Sequence, residues 1–331
     1  MSSKLKVKLH DSQAAQSSSA VRRFLGSYRK AGFARSDFDR IRNELKQRFA
    51  QYSTDNLHGI EPEAFRDRIM GELGRTDAEM EGYSKEQLDR QRGLSIKFHW
   101  GHNHDFGLFQ VPGRMKDRHI DVLARFVTYF PVELKDFDGR DVLDVGCWTG
   151  GTTLLLASLG GRVHAIEEVK KYADMAGFLA ESFGLGDRVT VERRSLYSCD
   201  SDEFAKRFDV VYFPGVIYHL SDPVIALRIL YNSLKVGGVM LVEGAGLDCA
   251  KPYCRFDGGL ALRPSKKDRL SRGGWNWFVP SPSALYRMMR ESGLDEVSAL
   301  WSRDAKRVYG YGRKTAEEDI CRAGLSVPDI R

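Results

Sequence analysis

The 331-residue sequence lacks any stretch of about 18 uncharged apolar residues, so no membrane-spanning helix is expected. Its N-terminus is basic and serine-rich but has no continuous apolar core, so no secretory signal is visible and the cytoplasm is the expected compartment. Cysteine is sparse. Of five residues, only Cys249 and Cys254 lie close together, and no second pair completes a zinc site. The odd count reads as reduced thiols. No internal repeat is evident, which argues against a solenoid or propeller.

What is present is an ordinary globular composition with its charge unevenly placed. Residues 1–50 hold twelve Lys or Arg against four Asp or Glu, a larger surplus than the +6 of the whole chain. The remainder is therefore slightly acidic. Such a basic end suits either a solvated amphipathic face or an acidic partner such as RNA.

Apolar spacings of three and four predict helices within Ser19–Tyr52, Glu61–Leu73 and Ser84–Ile96, a helical N-terminal appendage over 1–95. A segment rich in His, aromatics and Gly follows over 96–138, with a helix expected from about Asp117 to Tyr129. From Arg140 strand-like runs alternate with helical ones: "DVLDVG", "RVHAIE", "RVTVERR", "FDVVYFP", "GVMLVEG", "EVSALW" and "KRVYGYG". That alternation predicts an α/β fold, a Rossmann-like, mainly parallel sheet of seven strands with helices on its faces. The last two strands are joined only by "SRDA" and should form an antiparallel hairpin at the edge. The core is expected over 139–331, with a lid insertion around 248–278.

The chemistry is concentrated where the first core strand ends, in "VLDVGCWTGG". Gly146 permits a tight turn, and Gly150 a close approach of helix and ligand. The pattern is not the G-x-G-x-x-G of dinucleotide sites. Its distinctive feature is Asp144, ahead of the first glycine, where a carboxylate would repel a pyrophosphate but pair with an amino acid's ammonium. An amino-acid nucleoside, S-adenosylmethionine, is therefore favoured over NAD. A second acid should close the second strand and take the ribose hydroxyls. Glu167 and Glu168 stand 23 and 24 residues past Asp144, and Glu167 directly follows the apolar "HAI". Trp148 occupies the turn itself, and it is expected to pack outward against the segment around Trp100.

These residues resemble the class I S-adenosylmethionine-dependent methyltransferases. "FDVVYFPGVIYHLSDP" is similar to that family's fourth-strand motif, and "LKVGGVMLVEG" to its L-K-P-G-G turn and fifth strand, with Val236 in place of Pro. The likeness runs from about Arg140 to Gly312. "GVIYHLSDP" followed by "WNWFVPSPSAL" more narrowly resembles the tRNA wobble-uridine carboxymethyltransferase group. The narrower resemblance implies that Tyr218 faces the cofactor's sulfonium end. The wider one implies that Ser195 stands where relatives read the adenine amino group. The basic stretch Arg114, Lys116 and Arg118 lacks that group's matching tryptophans, so S-adenosylmethionine itself is the expected cofactor.

Cofactor contacts are thus expected from Asp144, Gly146, Cys147, Gly150, Glu167, Ser195 and Trp100. His219, just after the fourth strand, has the chemistry of a general base near neutral pH, and Glu243 ends the fifth strand as a second inward carboxylate. Both, with Tyr218 as a wall of the methyl pocket, are the catalytic candidates. "HWGHNH" invites a metal, but only Asp105 stands by to complete a sphere, so no metal is expected and a covering segment anchored by Trp100 is. Substrate contacts are expected from Arg272, Trp275 and Trp277 in the lid. The acceptor is expected to be a polar small molecule methylated at O or N. A tRNA, or a non-catalytic binding role, is the alternative.

Overall fold

The computed structural model describes residues 35–75, 98–257 and 276–317. The expected helices before residue 35 and over 84–96 lie outside them, as do Arg272 and Trp275.

Among the described residues, two helices come first, α1 (Arg35–Phe49) and α2 (Pro62–Glu72). The α1 face that carries Phe38, Ile41, Leu45 and Phe49 is buried, at the helical spacing of three and four. It lies on α3 (Arg118–Tyr129), where Arg42 pairs with Asp121 and Asp117, and Lys46 with Asp117. These apolar side chains join one core cluster with residues of the main sheet. Between α2 and α3 runs a short ribbon of β1 (His104–Asp105) and β2 (Gln110–Val111).

The core then alternates as its hydrophobic pattern predicts. Its elements are β3 (Asp141–Val145), α4 (Gly151–Ser158), β4 (Arg162–Glu167), α5 (Lys170–Ser182), β5 (Val189–Arg193), β6 (Phe208–Pro214), α6 (Pro223–Ser233) and β7 (Leu234–Gly244). A small ribbon of β8 (Cys254–Phe256) and β9 (Phe278–Pro280) precedes α7 (Pro282–Arg290), β10 (Asp295–Ser302) and β11 (Arg307–Arg313). Pro282 opens α7, and Ser281 caps it by accepting the N–H of Ala284.

The seven-stranded sheet has the order β10-β11-β7-β6-β3-β4-β5. All neighbours from β7 to β5 are parallel, while β11 runs antiparallel between β7 and β10. The final hairpin is thus present, with β10 at the edge and β11 inserted. The order reverses beside β3, so a cleft opens where the chains leaving β3 and β6 diverge at their carboxyl ends.

β7 begins at Leu234, earlier than "GVMLVEG" suggested, because the Lys235–Gly238 turn hydrogen-bonds to the end of β11: Gly237 N–H donates to Lys314 O at 2.7 Å and Lys314 N–H to Gly238 O at 2.9 Å. Among the described residues, no helix is long and apolar enough to cross a membrane.

Candidate active site

Asp144 is the fourth residue of β3 and is 1 % exposed. The Thr153 hydroxyl, from the first turn of α4, donates to its Oδ2 at 2.7 Å. Its Oδ1 is buried with no hydrogen-bond partner from the protein. Burial pushes its carboxyl up to about 7, the nearby charge of Glu167 adds to this, and the Thr153 hydrogen bond opposes it. A buried acid with an unused oxygen is a costly arrangement unless a cation completes it.

The turn after Asp144 is built by backbone. Gly146 (φ +74°) and Cys147 both donate N–H groups to Ile166 O, and Gly150 donates to Cys147 O at 2.9 Å. A Cβ at Gly146 would stand 2.6 Å from Val216 in the loop after β6, so glycine lets the two walls of the cleft meet. Gly150 (φ +83°) serves a different purpose from the one its motif suggests. A Cβ there would sit 3.0 Å from the Ala176 Cα, so it allows α4 to start against α5.

Cys147 departs from expectation too. Its thiol is buried in the core, and its N–H and carbonyl are both engaged within the turn and its β4 neighbour. It shapes the turn instead of presenting a group to a ligand.

Trp148 adopts a left-handed backbone (φ +51°), uncommon for a bulky side chain. What holds it there is Glu167, whose Oε2 accepts the Trp148 N–H at 2.9 Å while Oε1 accepts that of Val169 at 2.9 Å. Burial raises the Glu167 carboxyl to about 7 against those two hydrogen bonds. The indole leans away from the cleft. It packs on Gly101, where a Cβ would come 3.2 Å from the ring, with Tyr172 and His102 edge-on at 5.9 and 6.2 Å.

The segment before α3 is docked on the turn by Gly101, whose N–H donates to Thr149 Oγ1 at 3.0 Å. Trp100 is 4 % exposed, its ring 6.0 Å from Phe106 and 6.4 Å from Phe98. That burial makes it the anchor of this segment, and the expectation that it contacts the cofactor is revised accordingly. His104 is buried and His102 half-buried; the loss of solvent around their rings pushes both imidazoles down to about 3, and His104 Nε2 lies 2.8 Å from Tyr52 O. Burial also holds His119 well below the ordinary histidine range. These neutral rings fill the interior. Among the described residues, no group of three or more His, Cys, Asp or Glu is arranged to hold a metal ion.

On the other wall, a short 3-10 turn (Ile217–His219) follows β6. It sets the Tyr218 ring 4.0 Å from that of His219 and beneath the Arg307 guanidinium, which lies 4.8 Å from the Tyr218 centroid. Trp277 donates its N–H to Tyr218 O at 2.7 Å, tying the β8–β9 ribbon to the same turn. Ser195 begins the 3-10 turn after β5, half-buried.

Glu243 is fully buried at the end of β7 and bridges two arginines. Arg118 Nη2 donates to its Oε2 at 2.7 Å, and Arg307 Nε donates to its Oε1. Burial raises its carboxyl, but Arg118 and then Arg307 outweigh that and hold it below the ordinary range. A carboxylate so committed is a poor proton acceptor, which argues against the base role expected for it.

Arg307 was not legible as a site residue, since it opens the last strand, far along the chain, with no motif around it. Arg118 stood out only as one of three basic residues.

The fold and this cleft define a class, the Rossmann-like transferases that act at the carboxyl ends of their strands. A family model described as "Methyltransferase domain" matches residues 114–299, and the chain belongs to that family. Among curated proteins, it is 32 % identical over 169 residues to the tRNA U34 carboxymethyltransferase of Desulfotalea psychrophila, covering 50 % of this chain and 48 % of that one. It is 29 % identical over 163 residues to the ubiquinone biosynthesis O-methyltransferase of Cereibacter sphaeroides, covering 49 % of this chain and 62 % of that one. The chain thus spans about half the length of the curated relatives it matches. A solved structure of 1,6-didemethyltoxoflavin-N1-methyltransferase from Burkholderia thailandensis, with S-adenosylhomocysteine bound, superposes with a TM-score of 0.42 at 18 % identity, covering 54 % of this chain and 72 % of that one.

Proposed function

We propose that the protein transfers a methyl group from S-adenosylmethionine to an oxygen or nitrogen of a polar small molecule. The observation that carries this reading is Asp144, a buried carboxyl with one oxygen unclaimed by the protein, at the root of the glycine turn. The cofactor's ammonium matches that oxygen in charge and in donor chemistry, so the residues fit the group. Glu167 keeps lone pairs beyond the two used by backbone N–H groups and would take the ribose hydroxyls. Gly146 and Gly150 keep the turn narrow, and Ser195 lies at the end of β5 on the adenine side.

When bound, S-adenosylmethionine supplies a methyl on a sulfonium, open to in-line displacement. The chain's part is alignment, water exclusion and proton removal. Tyr218 walls the methyl site, and His219, half-buried beside it, accepts the proton of the attacking O–H or N–H. Glu243 positions instead of reacting, because it holds Arg118 and Arg307 against the Tyr218 turn. Residues 98–138 cover the cofactor turn, Gly101 packing on Trp148 and Thr149. The lid around 248–278 meets the acceptor through Trp277; the other expected acceptor contacts, Arg272 and Trp275, lie outside the described residues. A cytoplasmic location belongs to the same reading.

A second reading, transfer to a tRNA wobble uridine, draws support from the Desulfotalea psychrophila relative and from the twelve cations of residues 1–50. Its mark would be RNA binding that weakens steeply with salt and is lost when those cations are neutralised. For the leading reading, formation of S-adenosylhomocysteine in an acceptor screen is the test. Its absence with every small molecule and with RNA would leave only a binding role.

A further inference from the structure

Three of the chain's eight histidines gather beneath the segment that covers the cofactor turn. His102 and His104 stand on that segment, and His119 in the first turn of α3. The His102 and His119 rings lie 4.5 Å apart, and Phe49 of α1 meets His119 at 4.7 Å and His104 at 4.6 Å. On the other side His102 reaches the start of α4, where a Cβ on Gly151 would come 2.9 Å from its Nδ1. The cluster therefore sits where α1, α3, the covering segment and the cofactor turn meet. His104 and His119 are 4 % and 3 % exposed, and His102 is half-buried. His102 Nδ1 and both ring nitrogens of His119 are buried with no hydrogen-bond partner, while His104 Nε2 lies against Tyr52 O. A neutral imidazole has one N–H to satisfy, whereas an imidazolium has two and a charge.

The surrounding charges supply no ready counter-ion. From α1 comes Lys46, and from the start of α3 come Asp117 and Arg118. Asp117 is already closed on Lys46, Arg42 and Asn103, and Arg118 on Glu243. Asp105, beside His104, accepts from the Gly107 N–H and from Gln110 and faces solvent. Residues 148–153 of the turn and of α4 bring no charged side chain, and the positive end of the α4 dipole faces His102. Loss of solvent is the first cause that keeps all three rings neutral; Arg118 adds to it at His102, and the neighbouring rings and Lys46 add to it at His119.

We infer that His102, His104 and His119 form an acid-sensitive latch, which holds residues 98–119 on α1 and on the cofactor turn while its rings are neutral and releases them when the rings take up protons. Release breaks the bond from Gly101 N–H to Thr149 Oγ1 and the packing of Gly101 on Trp148, so the turn is uncovered with it. The latch concerns the chain's own contacts and does not rest on the methyltransferase reading. Docked rings refuse the proton that freed rings accept below about pH 6.5, so docking has its full strength above that pH and weakens as pH falls beneath it. Each freed imidazole raises the opening constant about tenfold between pH 7.5 and 5.5, and three raise it about 1000-fold.

Hydrogen exchange of the full-length, ligand-free protein tests this. Mass spectrometry at pH 7.5, 6.5 and 5.5, corrected for the intrinsic pH dependence of amide exchange, reads the opening of each region. The expected result is that peptides within 100–119 and the turn peptide 147–153 open together, about 100-fold or more further at pH 5.5 than at pH 7.5, and before β6 opens. His119→Phe and His102→Phe should each cut that rise about tenfold and leave opening at pH 7.5 no greater than in the parent. His119→Gln, which keeps a polar side chain but takes up no proton, should cut the rise in the same way and serves if the added phenyl ring disturbs the fold. A smaller rise in the parent, an equal rise in the folded His119 variants, opening of 100–119 without the turn, or exchange that keeps step with β6 at every pH would each overturn the inference.

Discussion

Replacing Asp144 by Asn should make the ligand-free protein more stable at neutral pH while weakening its hold on the cofactor. The folded state raises this carboxyl from 3.8 to about 7, chiefly by burial. A group that binds its proton more tightly when folded contributes most stability at low pH, and that contribution is lost as pH climbs from about 4 to about 7. Roughly three pH units at 1.36 kcal/mol each amount to about 4 kcal/mol at full ionisation. Asparagine removes the charge and keeps the acceptor for the Thr153 hydroxyl. Its amide N–H groups, set where Oδ1 now lies unpartnered, take back about 1–3 kcal/mol. The variant should therefore be about 1–3 kcal/mol more stable than the parent at pH 8, with the gap closing towards pH 4. Urea unfolding at half-unit steps from pH 4.5 to 8 measures this directly. The same variant should lose about tenfold to 100-fold in S-adenosylmethionine affinity, the worth of one charge-assisted hydrogen bond. Parallel stability curves for the two proteins across that range would refute the reasoning, because Asp144 would then carry no burial penalty for a ligand to relieve.

Trp148→Gly relieves a left-handed backbone but empties the space between Gly101 and Tyr172; it should cost about 1–3 kcal/mol in urea unfolding while cofactor affinity by calorimetry moves less than threefold. Glu243→Gln leaves Arg118 and Arg307 facing each other without a counter-charge and should destabilise the fold by about 3–5 kcal/mol in thermal melts; the double variant with Arg307→Gln should recover part of that. If the single variant melts with the parent, the bridge is not structural. His219→Ala should lower kcat by about 10²–10⁴ with S-adenosylhomocysteine affinity unchanged; a kcat within tenfold of the parent would remove His219 as the base. Gly150→Ala forces a Cβ to within 3.0 Å of the α5 backbone from a φ of +83°, so reduced stability is expected, read as a lower urea midpoint.

The sequence was most legible where period and packing agree. Strands such as "RVHAIE" and the helix expected from about Asp117 to Tyr129 sit within a residue or two of their expected bounds, because a buried face imposes its spacing on the chain. The two ribbons, β1–β2 and β8–β9, were not visible, since strands of two or three residues are too short to show alternation. At the site, Asp144 and Glu167 could be singled out because an acid at the end of a strand, beside a glycine turn, has a local signature.

The Arg118–Glu243–Arg307 bridge had none. Its members come from a helix before the core, the fifth core strand and the last strand, and only the sheet order brings them together. Trp100 and Cys147 failed as contacts for one reason: proximity along the chain to a glycine turn says nothing of which way a side chain points. Their burial turns both into the core.

The central claim is that the Asp144 turn holds S-adenosylmethionine. Titration calorimetry of the full chain with S-adenosylmethionine, side by side with the Asp144→Ala variant, tests it most directly. The account predicts saturable one-to-one binding by the parent, tightening as pH rises from 5.5 to 7, and a loss of at least tenfold in the variant. Binding of equal strength in the two proteins, or none in the parent, would contradict it.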